Sequence, residues 1–133
     1  MLPKGRLLLI GGGEDKGENQ VPIAAHNKQF VHLEILKQLV SEKSLDDRIE
    51  VITTATSFPM EIRAIYEKAF SKVGYTNVGF MDIHSIADTK NIEYIDRANT
   101  ANTILFSGGD QFKIATIIGG SPIADVICKR YKQ

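Results

Sequence analysis

Short runs of aliphatic and β-branched residues alternate along the chain with longer segments in which apolar residues recur every three or four positions. The short runs predict four strands, at residues 6–10, 48–54, 77–83 and 103–107. Each run ends in polar residues or glycine, where a strand would pass into a loop. The run at 6–10 is almost continuously apolar, which is typical of a buried parallel strand.

The longer segments predict helices between these strands. The clearest spans residues 60–73, since it follows Pro59 and precedes Gly74. A helix at 25–43 carries its leucines on one face, and a shorter one includes Ile92, Ile95 and Ala98. A further helix follows residue 110. The last opens at Ser121-Pro122, an N-cap residue followed by proline at the first helical position, and runs through residue 131.

The alternation of strand and helix predicts an α/β fold: a three-layer arrangement with a parallel sheet between two layers of helices. Ligand sites in such sheets lie beyond the carboxyl ends of the strands. The loops at residues 11–20, 53–59, 83–88 and 108–111 are therefore the candidate site.

Length and composition set further limits. The 133 residues fit one domain, 1–133, and the 16 basic and 16 acidic side chains cancel. A neutral chain lacks the charge expected of a nucleic-acid or anionic-membrane binder, so we expect neither partner. One cysteine, Cys128, permits no internal disulfide. With no signal-like or membrane-spanning run, the expected location is the cytoplasm. Cys128 is expected to be a small core residue of the last helix.

The first loop contains three glycines, at residues 11–13, followed by Glu14, Asp15 and Lys16. Glycines after a first strand can admit a phosphate, but the spacing fits neither a dinucleotide fingerprint nor a P-loop, and two carboxylates oppose an anion. A tight turn at the edge of a cleft, or a plain structural turn, explains the loop better. We therefore expect no cofactor.

The loop Gly108-Gly109-Asp110-Gln111 stands at the start of a predicted helix. Two interpretations are open. Its backbone N–H groups could stabilise a developing oxyanion, or the glycines could make the turn while Asp110 caps the helix.

The remaining candidates carry weaker signals. The hydroxyl-bearing residues of the stretch 53–57 could touch a ligand, but helix capping before Pro59 is the commoner explanation. His26, His32 and His84 are not spaced for a metal site, and no metal is expected. The chain has no Gly-x-Ser-x-Gly nucleophile elbow.

Taken in order, four motifs resemble the cyanophycinases, serine-type peptidases of the group that includes peptidase E. The motifs are residues 8–16 (Leu-Leu-Ile-Gly-Gly-Gly-Glu-Asp-Lys), 49–55 (Ile-Glu-Val-Ile-Thr-Thr-Ala), 66–70 (Tyr-Glu-Lys-Ala-Phe) and 104–111 (Ile-Leu-Phe-Ser-Gly-Gly-Asp-Gln). The first and last, about a hundred residues apart and each at a strand end, are specific in combination. The resemblance covers nearly all of the chain but only the amino-terminal portion of the family's domain.

The resemblance implies a flavodoxin-like sheet similar to that of class I glutamine amidotransferases, here incomplete. It implies a peptidase that hydrolyses cyanophycin, a polyaspartate carrying arginine on its side chains, to β-aspartyl-arginine dipeptides through an acyl-enzyme. The family's serine, acid and histidine would lie beyond Gln133, so the chain alone should be inactive. Gly109 and Asp110 match the oxyanion-hole position and Gln111 a substrate-cleft position. Glu14, Asp15 and Lys16 match a family motif, which fits a structural ion-pair turn as well as the edge of the substrate cleft.

Two other functions remain open. A flavodoxin-like domain could hold a small ligand without catalysis, in which case a nucleotide or flavin should stabilise it. Alternatively, a sheet that lacks its next strand would expose an unpaired edge, which predicts self-association and a homo-oligomer.

Overall fold

The computed structural model describes residues 2–9, 34–40 and 46–133. Three parallel strands, β1 (Ile49–Ile52), β2 (Val78–Met81) and β3 (Thr103–Phe106), form a sheet in the order β2-β1-β3. Ile49 pairs with Val78 on one side and with Thr103 on the other, so β1 is the central strand. The parallel α/β sheet predicted from the alternation is confirmed.

Helices connect and follow these strands. They are α1 (Glu34–Val40), α2 (Pro59–Lys72), α3 (Ile92–Thr100), the single turn α4 (Gln111–Lys113) and α5 (Pro122–Lys132). A 3₁₀-helix spans Ala87–Lys90, and α4 continues as a π-helix over Ile114–Ile118. The Ser121 hydroxyl accepts the Ala124 N–H at 3.2 Å, so the predicted cap of the last helix is confirmed. None of the helices in the described ranges is long and apolar enough to cross a membrane.

Alternation along β1 sends its side chains to two separate cores, one on each face of the sheet. Ile49 and Val51 pack with Tyr66 and Phe70 of α2, in a cluster that also contains Leu36 of α1. On the opposite face a second cluster is built around Ile52, with members from β2 and the loop after it, α3, the π-helix and α5: Met81, Ile83, Ala98, Ile118 and Ile123. Helices therefore cover both faces, as the three-layer prediction requires.

The strand predicted at residues 6–10 is not present over its described part. Residues 6–9 belong to no strand, and Leu7, Leu8 and Leu9 are 70%, 53% and 84% exposed. The Gly5 N–H donates to the Tyr131 carbonyl at 2.9 Å, which ties this segment to the end of α5. An aliphatic run becomes a strand only where a neighbouring strand supplies hydrogen bonds, and composition alone does not show whether it does. Residue 10 lies outside the described residues, as does most of the helix predicted at 25–43.

A buried carboxylate at the centre of the sheet is paired with two arginines, one of which, Arg48, has its Nε 3.1 Å from a Glu50 oxygen. Glu50 of β1 is 1% exposed, and Arg97 of α3 donates to both of its carboxylate oxygens, from Nε at 3.1 Å and from Nη2 at 2.6 Å. Arg97 also donates to the Phe80 carbonyl at 3.0 Å. Burial would lower the pKa of Arg97, but the hydrogen bond and charge of Glu50 outweigh it and raise that pKa. Arg97 thus fastens α3 to both β1 and β2.

Gly79 of β2 provides the space for this pair. A Cβ at that position would lie 2.5 Å from a Glu50 oxygen and 2.7 Å from an Arg97 nitrogen. Any larger residue would have to displace one of the charged groups. The glycine inside the strand therefore marks a close approach of side chains.

Asp88 organises the turn that leaves β2. One of its carboxylate oxygens accepts the backbone N–H groups of His84 and Ser85, at 2.9 and 3.0 Å. The pKa of Asp88 is lowered, above all by the hydrogen bond from the His84 backbone. The turn is therefore stabilised more by the ionised carboxylate than by the neutral acid.

We predict that Arg97→Met lowers the free energy of unfolding by about 3 kcal/mol, because the buried Glu50 loses the hydrogen bonds to both of its oxygens and keeps only the ion pair with Arg48. Urea unfolding measures this change. The control is Glu67→Gln, which removes an exposed pair with Arg63 on α2 and should cost about 0.5 kcal/mol or less. Equal effects of the two variants would contradict a structural role for the buried pair.

We predict that Asp88→Asn destabilises the protein at pH 7 by at most about 1 kcal/mol, the scale of a lost charge-assisted cap. Because the folded pKa lies below the unfolded value, the wild-type advantage is complete above about pH 4 and disappears as pH falls through the folded pKa. Unfolding curves at pH 7 and at successively lower pH test this. A gap between the proteins that stays constant with pH would argue against it.

Candidate functional site

Two loops meet at the carboxyl edge of the sheet, one after β1 and one after β3. The Ser107 N–H donates to the Ile52 carbonyl at 3.0 Å, and the Asp110 N–H donates to the Ala55 carbonyl at 2.9 Å. Gly109 between them has φ +144°, and a Cβ there would lie 2.3 Å from the Ala55 oxygen. Only glycine fits this contact, so the β3 loop is held against the β1 loop by its backbone.

The capping interpretation of Asp110 is confirmed. Its carboxylate accepts the Phe112 N–H at 2.9 Å at the start of α4. The Asp110 N–H is already used by Ala55, whereas the Gly109 N–H donates to no acceptor in the described part of the chain. Of the two predicted oxyanion-hole donors, Gly109 is therefore the one with an unused N–H in this structure.

Residues that follow the glycines turn side chains toward solvent. Gln111 is exposed and Phe112 is 73% exposed. Lys113 is half-buried, and its Nζ donates to the Ser57 hydroxyl of the β1 loop at 3.1 Å. The two loops are thus also joined by a side-chain contact, which the sequence pattern did not predict.

The threonines of the β1 loop are occupied in holding the loops together. Thr53 donates to a carboxylate oxygen of Asp82 at 2.8 Å, and Thr54 donates to the Ile83 carbonyl at 2.6 Å. Thr56 accepts the Phe58 N–H at 3.0 Å just before α2. The prediction that a hydroxyl of this stretch caps α2 is wrong: the N-cap residue is Phe58, no side chain caps the helix, and Thr56 stabilises only the turn before it. Ser57, by contrast, is exposed.

Ser107, the last residue before the two glycines, is buried at 2% exposure. Its hydroxyl has no hydrogen-bond partner within the described ranges. A buried hydroxyl without a partner is costly, which makes it a feature of the carboxyl edge that packing alone does not explain.

Several predicted residues lie elsewhere. Glu14, Asp15 and Lys16 are outside the described residues, as are His26 and His32. His84 is exposed at the end of β2, with its Nε2 4.0 Å from an Asp82 oxygen. In the ranges that the structure describes, no cluster of histidine, cysteine and carboxylate side chains could hold a metal ion.

The expectation that Cys128 belongs to the core is wrong. Its side chain is exposed on α5 and lines an open cavity of about 720 Å³ with three lysines: Lys4, Lys129 and Lys132. The core-facing residues of α5 are Ile123, Ala124, Val126 and Ile127. Helical spacing was sufficient to predict the helix, but it left the exposure of a small residue beside that stripe undetermined.

No family model matches the chain. Cyanophycinases from Synechococcus elongatus and Thermosynechococcus vestitus are each 26% identical over 121 residues, which is 90% of this chain and 34% of each relative. A cyanophycinase from Geminocystis herdmanii is 26% identical over 127 residues, which is 95% of this chain and 42% of that protein.

The solved structure of a peptidase from an acI-B1 Actinobacterium is also similar. It has a TM-score of 0.57 at 20% identity and covers 74% of this chain and 41% of that one. This likeness shows the fold alone, and it agrees with a flavodoxin-like sheet that is only partly represented here. The chain spans 34–42% of the length of the curated relatives it matches. The resemblance predicted from the four motifs is confirmed: the chain resembles the amino-terminal portion of the cyanophycinases.

Proposed function

We propose that this chain forms the oxyanion and substrate-binding side of a serine-type peptidase with cyanophycinase-like activity. The observation that carries the proposal is the β3 loop, in which Gly109 leaves its N–H without an acceptor at the carboxyl edge of the sheet. This edge is where parallel α/β sheets bind their ligands. The cyanophycinases that the chain resembles supply the substrate class.

In the proposed reaction a serine attacks the scissile carbonyl of a polyaspartate chain that carries arginine. A histidine takes the serine proton and passes it to the backbone amine that leaves as the amide bond breaks, so that an acyl-enzyme forms. Water then hydrolyses this ester and restores the serine, and the reaction releases β-aspartyl-arginine. The Gly109 N–H would donate to the oxygen that becomes negative in each tetrahedral intermediate. One such donor stabilises the transition state by about 2.7–4 kcal/mol.

We assign the nucleophile, acid and histidine to sequence that corresponds to the remainder of the relatives. This chain contains no Gly-x-Ser-x-Gly motif. None of its described serine or threonine hydroxyls forms a hydrogen bond with a histidine ring. The chain's own contribution is to orient the substrate and stabilise the oxyanion.

The direct test is hydrolysis of cyanophycin and of short β-aspartyl-arginine oligomers. The protein is expressed from its own gene with any sequence that follows Gln133, alongside the 133-residue chain. We expect dipeptide release by the longer product and none by the chain. If the longer product cleaved no β-aspartyl peptide, and a nucleotide or flavin strongly raised its melting temperature, the results would contradict a peptidase and support a non-catalytic binding domain.

We predict that Gln111→Ala in the longer product lowers kcat/KM by about threefold to tenfold, the effect of one lost hydrogen bond to substrate. Because Gln111 is exposed, its melting temperature should stay within about one degree of wild type. Asn99→Ala, an exposed polar change on α3, is the matched control and should leave both values unchanged. An unaltered kcat/KM in Gln111→Ala would show that Gln111 does not contact the substrate.

A further inference from the structure

Lys113 and Ser57 form the contact between the two loops that the proposed function leaves unexplained. The two residues are 56 positions apart, and the Lys113 Nζ donates to the Ser57 hydroxyl at 3.1 Å. Lys113 is half-buried, and no carboxylate of the described residues lies within ion-pair distance of it. The N–H groups of its ammonium are therefore not paired with any carboxylate of the described residues.

The neighbouring groups are also donors. Because the Ser57 oxygen accepts from Lys113, its own proton remains available to an acceptor. A Cβ on Gly109 would lie 3.1 Å from the backbone nitrogen of Thr56, the residue before Ser57. The backbone of Gly109, whose N–H donates to no acceptor in the described ranges, therefore lies against the same loop. An ammonium, a hydroxyl and a backbone N–H together favour an anionic acceptor.

The negative charge of Asp110 disfavours an acceptor that carries more than one negative charge. This carboxylate is fixed on the Phe112 N–H, within three residues of Lys113, so a doubly charged phosphate would meet a negative neighbour. A single carboxylate suits the site better. Arginine attached through its α-amino group to an aspartate side chain keeps a free α-carboxylate, so each repeat of the proposed substrate carries one.

We infer that Lys113 and Ser57 form a subsite for a substrate carboxylate, next to the Gly109 oxyanion donor. The inference rests on the proposed function for the identity of the ligand. Lys113 acts as a specificity residue: it selects peptides with a free arginyl carboxylate over those in which that group is neutral. The contact with Ser57 holds the ammonium at the junction of the two loops.

The test compares binding of β-aspartyl-arginine with binding of its carboxyl-terminal amide, by isothermal titration calorimetry on the chain. Wild type should bind the free acid about tenfold more tightly, the effect of one charge-assisted hydrogen bond. Lys113→Met should bring the ratio close to one, Ser57→Ala should reduce it about threefold, and Lys113→Arg should retain it. Lys68→Met removes an exposed lysine of α2 and should keep the wild-type ratio.

A wild-type ratio near one, no measurable binding of either peptide, or an unchanged ratio in Lys113→Met would each overturn the subsite. The hydrolysis assay separates this from the proposed function. If the protein hydrolysed no substrate but still bound the free acid more tightly through Lys113, the subsite would be supported and the peptidase function would be contradicted. If the protein hydrolysed both substrates and Lys113→Met slowed the acid and the amide equally, the peptidase function would be supported and the subsite would be contradicted.

Discussion

The buried pair of Glu50 and Arg97 is the interaction on which the sheet depends. A carboxylate on the central strand of a parallel sheet is expensive to bury, and it is tolerated here because a guanidinium from α3 binds both of its oxygens and Arg48 lies 3.1 Å from one of them. The same guanidinium reaches the Phe80 carbonyl, and Gly79 leaves the room it needs. One ion pair thereby fixes the position of α3 against two strands at once.

The position of the strands in turn determines the site. Because β1 and β3 are parallel and in register, the loops that follow them emerge side by side at the carboxyl edge. Gly109 can then lie against the Ala55 carbonyl, and Lys113 can reach Ser57. Hydrogen-bond donors from both loops therefore lie at the same edge of the sheet. The proposed oxyanion and carboxylate sites require donors that the fold itself holds in place.

Features of the fold that depend on neighbouring residues in the sequence could be predicted. Proline and serine at helix starts and β-branched runs predicted α2, α5 and the three strands, whereas the Asp110 cap was one of two interpretations that the sequence left open. The exposed run at Leu7–Leu9 and the exposed Cys128 were predicted wrongly, since burial depends on which partners the fold supplies. The Glu50–Arg97 pair was missed, although a lone acid within a β-branched run and a glycine within a strand were available signals. The Lys113–Ser57 contact joins distant residues and has no local signal.

The ligand site proposed for this chain lies at the carboxyl edge of the sheet. Amide chemical-shift mapping of the ¹⁵N-labelled chain during titration with β-aspartyl-arginine tests it most directly. We predict that the largest shifts fall at residues 55–57 and 108–113, from both loops together. Shifts concentrated instead around the open cavity beside Cys128, with both loops unaffected, would contradict the account.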